Sequence, residues 1–350
     1  MRIVAAAALT LGLLLSAPAG AEGPGADSSA AVALMYHRFG EDRIPTTNIR
    51  IEQFESHLRI LATEGYRVVP LDEIVDALEK GAPVPEKTVA ITVDDAYASV
   101  ATVAWPRIRA KGWTLTLFVA TDPVDAGTPG YLSWEKMRAL KAEGMRFGLH
   151  SKSHPHMAKL STDAIAAEIR DSAARFAAEL GEAPRLFAYP YGEADLRVMA
   201  AVKAAGFRFA FGQHSGVISA AEAPLFLPRF ALNEHYGDES RFRLVTAALP
   251  LPATEISPAD PTLSRNPPNF GFTVPPEVGP IANLRCYASS PGETKTEILG
   301  RRVEVRQAQA FTGVRGRLNC TLPGPKGRWR WLGRMFFIPD ALRPDHARDD

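Results

Sequence analysis

Asp94 and Asp95 are adjacent carboxylates that follow directly on the apolar run Val89–Val93. Such a run predicts a buried parallel strand, and in a β/α barrel the carboxyl end of a strand faces the active site. Successive residues at a strand end point in different directions, so one carboxylate could bind a metal ion while its neighbour faces a substrate. Aspartates also supply turns and helix N-caps. The pair alone does not decide between these interpretations.

A second polar group follows the predicted strand Phe147–Leu149 and contains His150, His154 and His156. Two imidazoles four residues apart can face one point when the segment forms a helical turn or a tight loop. Imidazole together with carboxylate suits zinc and similar divalent ions. Three histidines so close together after a strand seldom arise from packing. The pattern therefore indicates a metal site.

A third predicted strand, Leu186–Ala188, leads into Tyr189-Pro190-Tyr191-Gly192. Proline and glycine favour a turn here, and the turn could direct a backbone N–H inward, as an oxyanion site requires. A plain β-turn is the alternative, and the segment taken alone favours it. The tyrosines could stack on sugar rings or belong to the core.

The elements that position these groups lie between Val32 and about Leu249, where short apolar runs alternate with longer amphipathic stretches. This alternation is typical of strand–helix repeats around a parallel sheet. Seven predicted strands suggest a barrel: Val32–Tyr36, Arg67–Val69, Val89–Val93, Thr114–Val119, Phe147–Leu149, Leu186–Ala188 and Phe207–Gly212. The predicted helices between them are Ile51–Glu64, Leu71–Glu79, Val100–Ala110, Trp134–Glu143, Thr162–Leu180 and Asp195–Ala205.

The remainder of the chain differs in composition. Prolines crowd into residues 251–280, which predicts a linker or an extended arm. Short strand-like runs separated by Gly, Pro and Ser predict a small β-domain over 281–340, and the polar residues 341–350 predict a disordered tail. Cys286 and Cys320 are the only cysteines and could form a disulfide or remain two buried thiols. Trp329 and Trp331 share one strand face, where they either pack in the core or contact a cell wall or a partner protein.

The formal net charge of +1 and the even spread of Lys and Arg argue against a nucleic-acid partner. Residues 1–21 combine a positive start, an apolar run and the small residues Ala19-Gly20-Ala21, which is the pattern of a cleaved signal peptide. Ser16 and Pro18 break the apolar run before it could form a membrane anchor. We expect export to the periplasm or full secretion.

Two motifs resemble those of the polysaccharide deacetylases with a NodB homology domain, carbohydrate esterase family 4. Thr92-Val93-Asp94-Asp95-Ala96 is similar to the family's Thr-Phe-Asp-Asp-Gly, and His150–Pro155 matches His-Ser/Thr-x-x-His-Pro. The resemblance places this domain at residues 30–250. It implies an α/β fold, a distorted and incomplete TIM-like (β/α)7 barrel, here followed by the small all-β C-terminal domain.

The resemblance also implies roles for individual residues. Asp94 would be the general base, and Asp95, His150 and His154 would hold a divalent metal ion, zinc first, with cobalt, nickel or manganese as alternatives. The N–H of Tyr191 would bind the oxyanion.

Met35-Tyr36-His37, at the end of the first predicted strand, is similar to the opening of the subgroup acting on poly-N-acetylglucosamine, which would place His37 at the site as a substrate-binding residue. The alternative is a rim histidine whose hydrogen bonds are satisfied within the protein. Tyr189 and Pro190 are the other candidate substrate-binding residues.

Two departures from the family pattern concern catalysis. The third motif usually begins with an arginine that orients the catalytic aspartate, and Ala188 stands in its place. No clear copy of the final motif, Leu-x-His, follows, so the general acid has two candidates, His214 and His235; we favour His214 because it follows an apolar strand.

The function implied by the resemblance is metal-dependent removal of N-acetyl groups from a polysaccharide or oligosaccharide containing N-acetylglucosamine. The polymer could be poly-β-1,6-N-acetylglucosamine, peptidoglycan or a chitin-like chain. The alternative is a catalytically silent carbohydrate-binding protein on the same fold, which the alanine at position 188 and the missing final motif would explain.

Overall fold

The computed structural model describes residues 30–41 and 43–344. The predicted signal peptide at 1–21 therefore lies outside the described residues. The described chain forms two domains, a curled α/β barrel followed by a β-sandwich. Within the described ranges, no helix is both long and apolar enough to cross a bilayer.

The barrel is built on a curled sheet in the order β10-β1-β5-β6-β7-β8-β9, with β4 added beside β5 and β11 beside β1. Neighbouring strands from β1 through β9 pair in parallel, so their carboxyl ends meet at one rim. The strands of this domain are β1 Ala30–Tyr36, β2 Arg38–Phe39, β3 Asn48–Ile49, β4 Arg67–Val68, β5 Thr88–Asp94, β6 Thr116–Val119, β7 Arg146–Leu149, β8 Leu186–Ala188, β9 Phe209–Phe211, β10 Ile218–Ser219 and β11 Phe230–Ala231. The predicted incomplete barrel is confirmed.

Helices pack around this sheet with their apolar faces inward. They are α1 Ile51–Thr63, α2 Leu71–Glu79, α3 Trp105–Arg109, α4 Thr121–Asp125, α5 Trp134–Ala142, α6 Thr162–Leu180, α7 Leu196–Ala204 and α8 Glu239–Thr246. Helices α5 and α6 are N-capped by Ser133 and Ser161, whose hydroxyls accept from backbone N–H groups three residues on. The helix predicted at Val100–Ala110 is divided: Val100–Ala104 is a π-helical turn that continues into α3.

The gap between the last and first barrel strands is filled by the segment 227–231. At one side Leu227 pairs in parallel with Phe211 of β9, and at the other Phe230 pairs in parallel with Leu34 of β1. Its residues alternate in direction, so Phe230 packs in the core while Arg229 points into the barrel. This closing segment was not predicted, because its regular part is only two residues long.

The C-terminal domain is a sandwich of two four-stranded sheets, β12-β19-β18-β15 and β13-β14-β17-β16. Its strands are β12 Leu249–Pro250, β13 Thr254–Ser257, β14 Phe270–Thr273, β15 Arg285–Ala288, β16 Thr294–Leu299, β17 Arg302–Gln307, β18 Arg315–Pro323 and β19 Trp329–Phe337. Cys286 and Cys320 are direct cross-strand partners on β15 and β18 and form a disulfide.

The structure differs from the predicted domain boundaries at two places. Residues 251–280 do not form a linker, because Leu263, Phe270 and Phe272 from this stretch are buried in the sandwich core. The prolines there lie between core-forming residues. The disordered tail predicted at 341–350 is wrong at Leu342, whose carbonyl accepts a hydrogen bond from Asn266 Nδ2 at 2.9 Å, and residues 345–350 lie outside the described range.

The sandwich packs directly against the barrel. The Trp331 ring meets Phe230 of the closing segment edge-on, with ring centroids 5.2 Å apart. A Cβ atom at Gly333 would lie 1.8 Å from the Ser215 carbonyl oxygen, so the two backbones approach as closely as glycine permits. Trp331 thus serves packing between the domains.

Helix α1 packs on α8 through the buried His57, whose ring stacks on Phe242 at 3.9 Å. Its two nitrogens lie 2.9 Å from the Gly237 carbonyl oxygen and 3.0 Å from the Tyr36 hydroxyl. A neutral ring satisfies both contacts, by donating to the carbonyl and accepting from the hydroxyl. Burial lowers the pKa of His57 to about 4, although the carbonyl and nearby carboxylates oppose this.

We predict that His57 makes the protein less stable as the pH falls from about 6.5 to about 4. In this window the unfolded state binds a proton that the folded state excludes, and the loss reaches ~3 kcal/mol at most. Urea unfolding between pH 4.5 and 7 should show a shallower pH dependence in His57→Gln than in the unchanged protein. The exposed His235, changed to Gln, is the control. Equal slopes for His57→Gln and the unchanged protein would contradict the assignment.

Candidate active site

Asp95, His150 and His154 converge at the carboxyl ends of β5 and β7. The Asp95 carboxylate oxygen Oδ1 lies 3.6 Å from His154 Nε2 and 3.9 Å from His150 Nε2, and one ligand atom from each residue falls within 4.8 Å of the others. The structure thus brings together the three residues predicted from the two strand ends.

His150 is oriented to offer a lone pair at this point. Its Nδ1 lies 2.7 Å from the Ala188 carbonyl oxygen, which can only accept, so Nδ1 carries the proton and Nε2 is the acceptor. That Nε2 atom is buried and has no hydrogen-bond partner among the described residues. Burial lowers the pKa of His150 to about 4, against the opposing charge of Asp94. A neutral imidazole with an unpaired, inward-facing nitrogen is the form that binds a metal ion, so the residues present fit the metal that the family implies.

The loop carrying the two histidines is fixed by α6. The Glu168 carboxylate accepts hydrogen bonds from the backbone N–H groups of Lys152 and Ser153, at 3.0 and 2.9 Å. The Ser151 hydroxyl accepts from the His154 N–H at 3.1 Å. These bonds shape a tight loop, which is one of the two geometries that the four-residue spacing allows.

Left-handed backbone is concentrated at the site. Asp95, Ser151, His154 and Tyr191 have φ between 56° and 65°, and they are four of the seven non-glycine residues with positive φ in the described chain. This conformation costs about 1 to 2 kcal/mol for a residue with a side chain and persists only where surrounding contacts enforce it. The strained residues are two members of the triad, Asp95 and His154, the loop residue Ser151 and the predicted oxyanion donor Tyr191.

Asp94 is fully buried and is held by Arg229. The guanidinium Nη1 and Nη2 lie 2.6 and 2.8 Å from the two carboxylate oxygens, while Nε donates to the Gly212 carbonyl at 3.0 Å. Burial alone would raise the pKa of Asp94, but the charge of Arg229 outweighs it and holds the pKa well below its usual range. Gln213 Nε2 adds a contact at 3.3 Å. Asp94 is therefore ionised and fixed in direction.

Arg229 is the functional residue that sequence analysis missed. The family's arginine was sought at position 188, whereas here the bidentate donor comes from the segment that closes the barrel. The available signal was a charged residue in an apolar run, Leu227-Pro228-Arg229-Phe230, because an arginine within a buried strand needs a buried partner. The Ala188 position supplies only its carbonyl, to His150.

His37 lies at the same rim, directly after β1, and is partly exposed. Burial lowers its pKa, while the neighbouring charges of Asp94 and Asp95 oppose this shift. His37 is thus close enough to feel both carboxylates, as expected of a residue at the site.

Tyr191 lies beside the triad, and His156 supports it. The His156 ring is stacked on the Tyr191 ring with centroids 4.2 Å apart, and its Nδ1 lies 2.7 Å from the buried Glu193 carboxylate. His154 meets the Tyr191 ring edge-on, with ring centroids 4.5 Å apart. The third histidine of the motif therefore supports Tyr191 and is not part of the triad.

Three of the predicted residues are buried away from solvent. The Tyr189 ring is fully enclosed, with its hydroxyl donating to the Leu225 carbonyl at 2.8 Å, and Pro190 is also buried, so neither can contact a sugar. His214 is enclosed against Phe226, and its ring nitrogens have no hydrogen-bond partner among the described residues. Burial, reinforced by the charges of Arg334 and Arg229, lowers the pKa of His214 well below its usual value.

Comparison with known proteins agrees with this geometry. Residues 81–210 match the family model for polysaccharide deacetylase. The chain is 24% identical over 186 residues to YxkH of Bacillus subtilis, assigned to the polysaccharide deacetylases, covering 53% of this chain and 65% of that one. It is 23% identical to the poly-beta-1,6-N-acetyl-D-glucosamine N-deacetylase of Escherichia coli K12, covering 55% of this chain and 35% of that one. The matched part of this chain thus spans about two thirds of the length of YxkH and about one third of the length of the Escherichia coli enzyme.

Solved structures show the same barrel. The deacetylase PplD of Streptococcus pyogenes, in complex with acetate, aligns with a TM-score of 0.58 and 23% identity over 62% of this chain and 98% of its own. IcaB of Ammonifex degensii aligns with a TM-score of 0.55 and 27% identity, over 62% of this chain and 96% of its own. Together with the motifs at β5 and β7, these matches show that residues 81–210 carry a polysaccharide deacetylase domain, on a barrel similar to that of the solved IcaB structure.

Proposed function

We propose that the protein is a metal-dependent, exported N-deacetylase of a polymer containing N-acetylglucosamine, with poly-β-1,6-N-acetylglucosamine as the first candidate. One observation carries the proposal: an ionised, buried aspartate, locked by a bidentate arginine, stands next to an Asp-His-His triad with an unpaired imidazole nitrogen. A binding site needs no such base, which argues against the silent carbohydrate-binding alternative.

In the proposed mechanism, Asp95, His150 and His154 would hold the metal ion, with zinc as the first choice. When bound there, the ion would supply Lewis-acid chemistry, polarising the acetyl carbonyl and lowering the pKa of a water. Asp94 accepts the proton of the attacking water, and the arginine keeps the carboxylate pointed at it. The Tyr191 N–H donates to the oxygen on which negative charge develops. The products are acetate and a free amino sugar.

The departing amine must receive a proton, and two histidines are candidates for the donor. His214, favoured from the sequence, is enclosed against Phe226. His37 is partly exposed at the rim beside Asp94 and Asp95, where a substrate could reach it. We propose His37 as the donor. The single variants His37→Ala and His214→Ala compare the two, since only loss of the true donor should lower kcat without lowering the melting temperature.

The decisive experiment for the function is acetate release by the mature protein from short β-1,6-linked N-acetylglucosamine oligomers, with and without a chelator and with zinc or cobalt restored. Chitin oligomers and peptidoglycan serve as parallel substrates. Release that requires the metal supports the proposal and identifies the polymer. Metal binding without release from any of the three polymers would favour the silent carbohydrate-binding alternative.

We predict that Asp95→Asn lowers zinc affinity by at least ~100-fold, because an amide oxygen replaces the charged ligand of the triad. Isothermal titration of the metal-free protein with zinc measures the change. Asp163→Asn removes an exposed carboxylate on α6 and is the matched control, with unchanged affinity expected. Native zinc affinity in the Asp95 variant would contradict the assignment of this ligand.

A further inference from the structure

Arg315, the first residue of β18, extends from the sandwich to the turn that carries Tyr191. Its Nη1 donates to the Tyr191 carbonyl oxygen at 3.2 Å, and its guanidinium carbon lies 5.6 Å from the centroid of the Tyr191 ring. Its Nε lies 3.7 Å from the Glu193 carboxylate. One side chain of the second domain therefore contacts the backbone, the ring and the adjoining carboxylate of this turn.

The turn needs such support. Tyr191 has φ 58° and ψ 3°, a left-handed conformation that is unfavourable for a residue with a side chain. Within the turn, the Tyr189 carbonyl accepts from the Gly192 N–H at 2.8 Å. The Tyr191 carbonyl accepts its hydrogen bond from Arg315, which belongs to the other domain.

Glu193 connects this contact to the histidines of the site. Its side chain is fully buried, with one carboxylate oxygen 2.7 Å from His156 Nδ1 and the other facing Arg315. His156 in turn stacks on the Tyr191 ring. Arg315, Glu193, His156 and Tyr191 form a closed ring of contacts at the rim, which we call the Tyr191 brace.

We infer that Arg315 is a positioning residue, through which the β-sandwich holds the Tyr191 N–H in register with the acetyl carbonyl. This inference rests on the proposed function, in which that N–H binds the oxyanion. The PplD and IcaB structures align over 98% and 96% of their own chains while covering 62% of this one, so the remainder of this chain has no counterpart in them. In this protein the second domain thus takes part in turnover as well as in any contact with a cell wall or a partner.

The test compares Arg315→Ala and Arg315→Lys with Arg328→Ala. Arg328 is a matched control because it also reaches from the sandwich to barrel carbonyls, at Ala247 (2.7 Å) and Ala248 (3.4 Å), far along the chain from the site. We expect Arg315→Ala to lower kcat about tenfold and to leave KM within twofold of its normal value. The reason is that a misplaced oxyanion donor stabilises the transition state less well than a correctly placed one. Arg328→Ala should keep kcat, and zinc content should be equal in all variants.

Chemical rescue separates positioning from a general loss of structure. Millimolar guanidinium should restore part of kcat in Arg315→Ala and leave Arg328→Ala and the unchanged protein unaffected, while Arg315→Lys should fall between them. Hydrogen exchange gives a readout independent of activity: amides of residues 189–193 should exchange faster in Arg315→Ala than in Arg328→Ala.

The outcomes distinguish the two levels of the hypothesis. If the unchanged protein releases acetate but Arg315→Ala matches Arg328→Ala in kcat and in exchange, the positioning role is wrong and the proposed function stands. If no protein releases acetate although exchange at 189–193 rises only in Arg315→Ala, the brace is real and the proposed function fails.

Discussion

Asp94→Asn is expected to abolish turnover while leaving the metal in place. The amide oxygen can still accept one of the two hydrogen bonds from Arg229, which holds the side chain in place, although the amide NH2 cannot accept the other. An amide cannot take the proton of the attacking water. Loss of a general base lowers kcat by roughly 10² to 10⁴. Steady-state acetate release from N-acetylglucosamine oligomers measures the loss, and zinc titration of the same variant should give the affinity of the unchanged protein.

Asp238→Asn is the control for this substitution, because Asp238 caps α8 by accepting from the Arg241 N–H, and asparagine caps a helix equally well. It should retain both turnover and zinc. Retention of more than a tenth of kcat in the Asp94 variant would mean that another group takes the proton.

Arg229→Met is expected to cost ~3 to 5 kcal/mol of unfolding free energy, because it leaves a buried carboxylate without its partner. Both side chains are fully enclosed, so water cannot replace the lost contacts. Turnover should also fall, since Asp94 loses two of the donors that fix its direction. Urea unfolding of the metal-free protein at pH 7 measures the stability change.

The double variant Arg229→Met with Asp94→Asn tests the same pair from the other side. Removing both charges should return most of the stability lost in the arginine variant, as a neutral pair avoids the buried ion. Arg185→Met removes an arginine from an exposed pair with Asp76 and should cost less than ~1 kcal/mol. A double variant no more stable than Arg229→Met would show that the two charges are not coupled.

The parts of the site that the sequence predicted are local in the chain. Asp95 and His150 directly follow strands, and His154 lies in the loop after His150. Parallel strands bring their carboxyl ends to one rim, so the strand patterns predicted that these residues meet, while the family resemblance was needed to assign Asp95, and not Asp94, as the ligand. The barrel followed for the same reason, since apolar runs and amphipathic helices alternate regularly.

The parts that were missed depend on contacts between distant segments. Arg229 binds Asp94, 135 residues earlier in the chain, and directly precedes a strand of only two residues, which is too short to predict from its own sequence. Tyr189 was assigned to the substrate because it is aromatic and close to the motif, but the backbone direction after β8 turns its ring into the core. The proline-rich stretch was interpreted by composition, and its phenylalanines, which decide its burial, were given too little weight.

A chain leaves the ribosome from its N-terminus, so the residues of the site become available in sequence order. All three proposed metal ligands are present once residue 154 has emerged, and Glu168 and Ala188, which orient the two histidines, follow soon after. The partner of the proposed base arrives later, with the closing segment at residue 229, and the brace arrives last, with Arg315. On the proposed function, metal acquisition and catalytic competence would therefore be separate events in the maturation of this chain, and the finished C-terminal domain would complete the second.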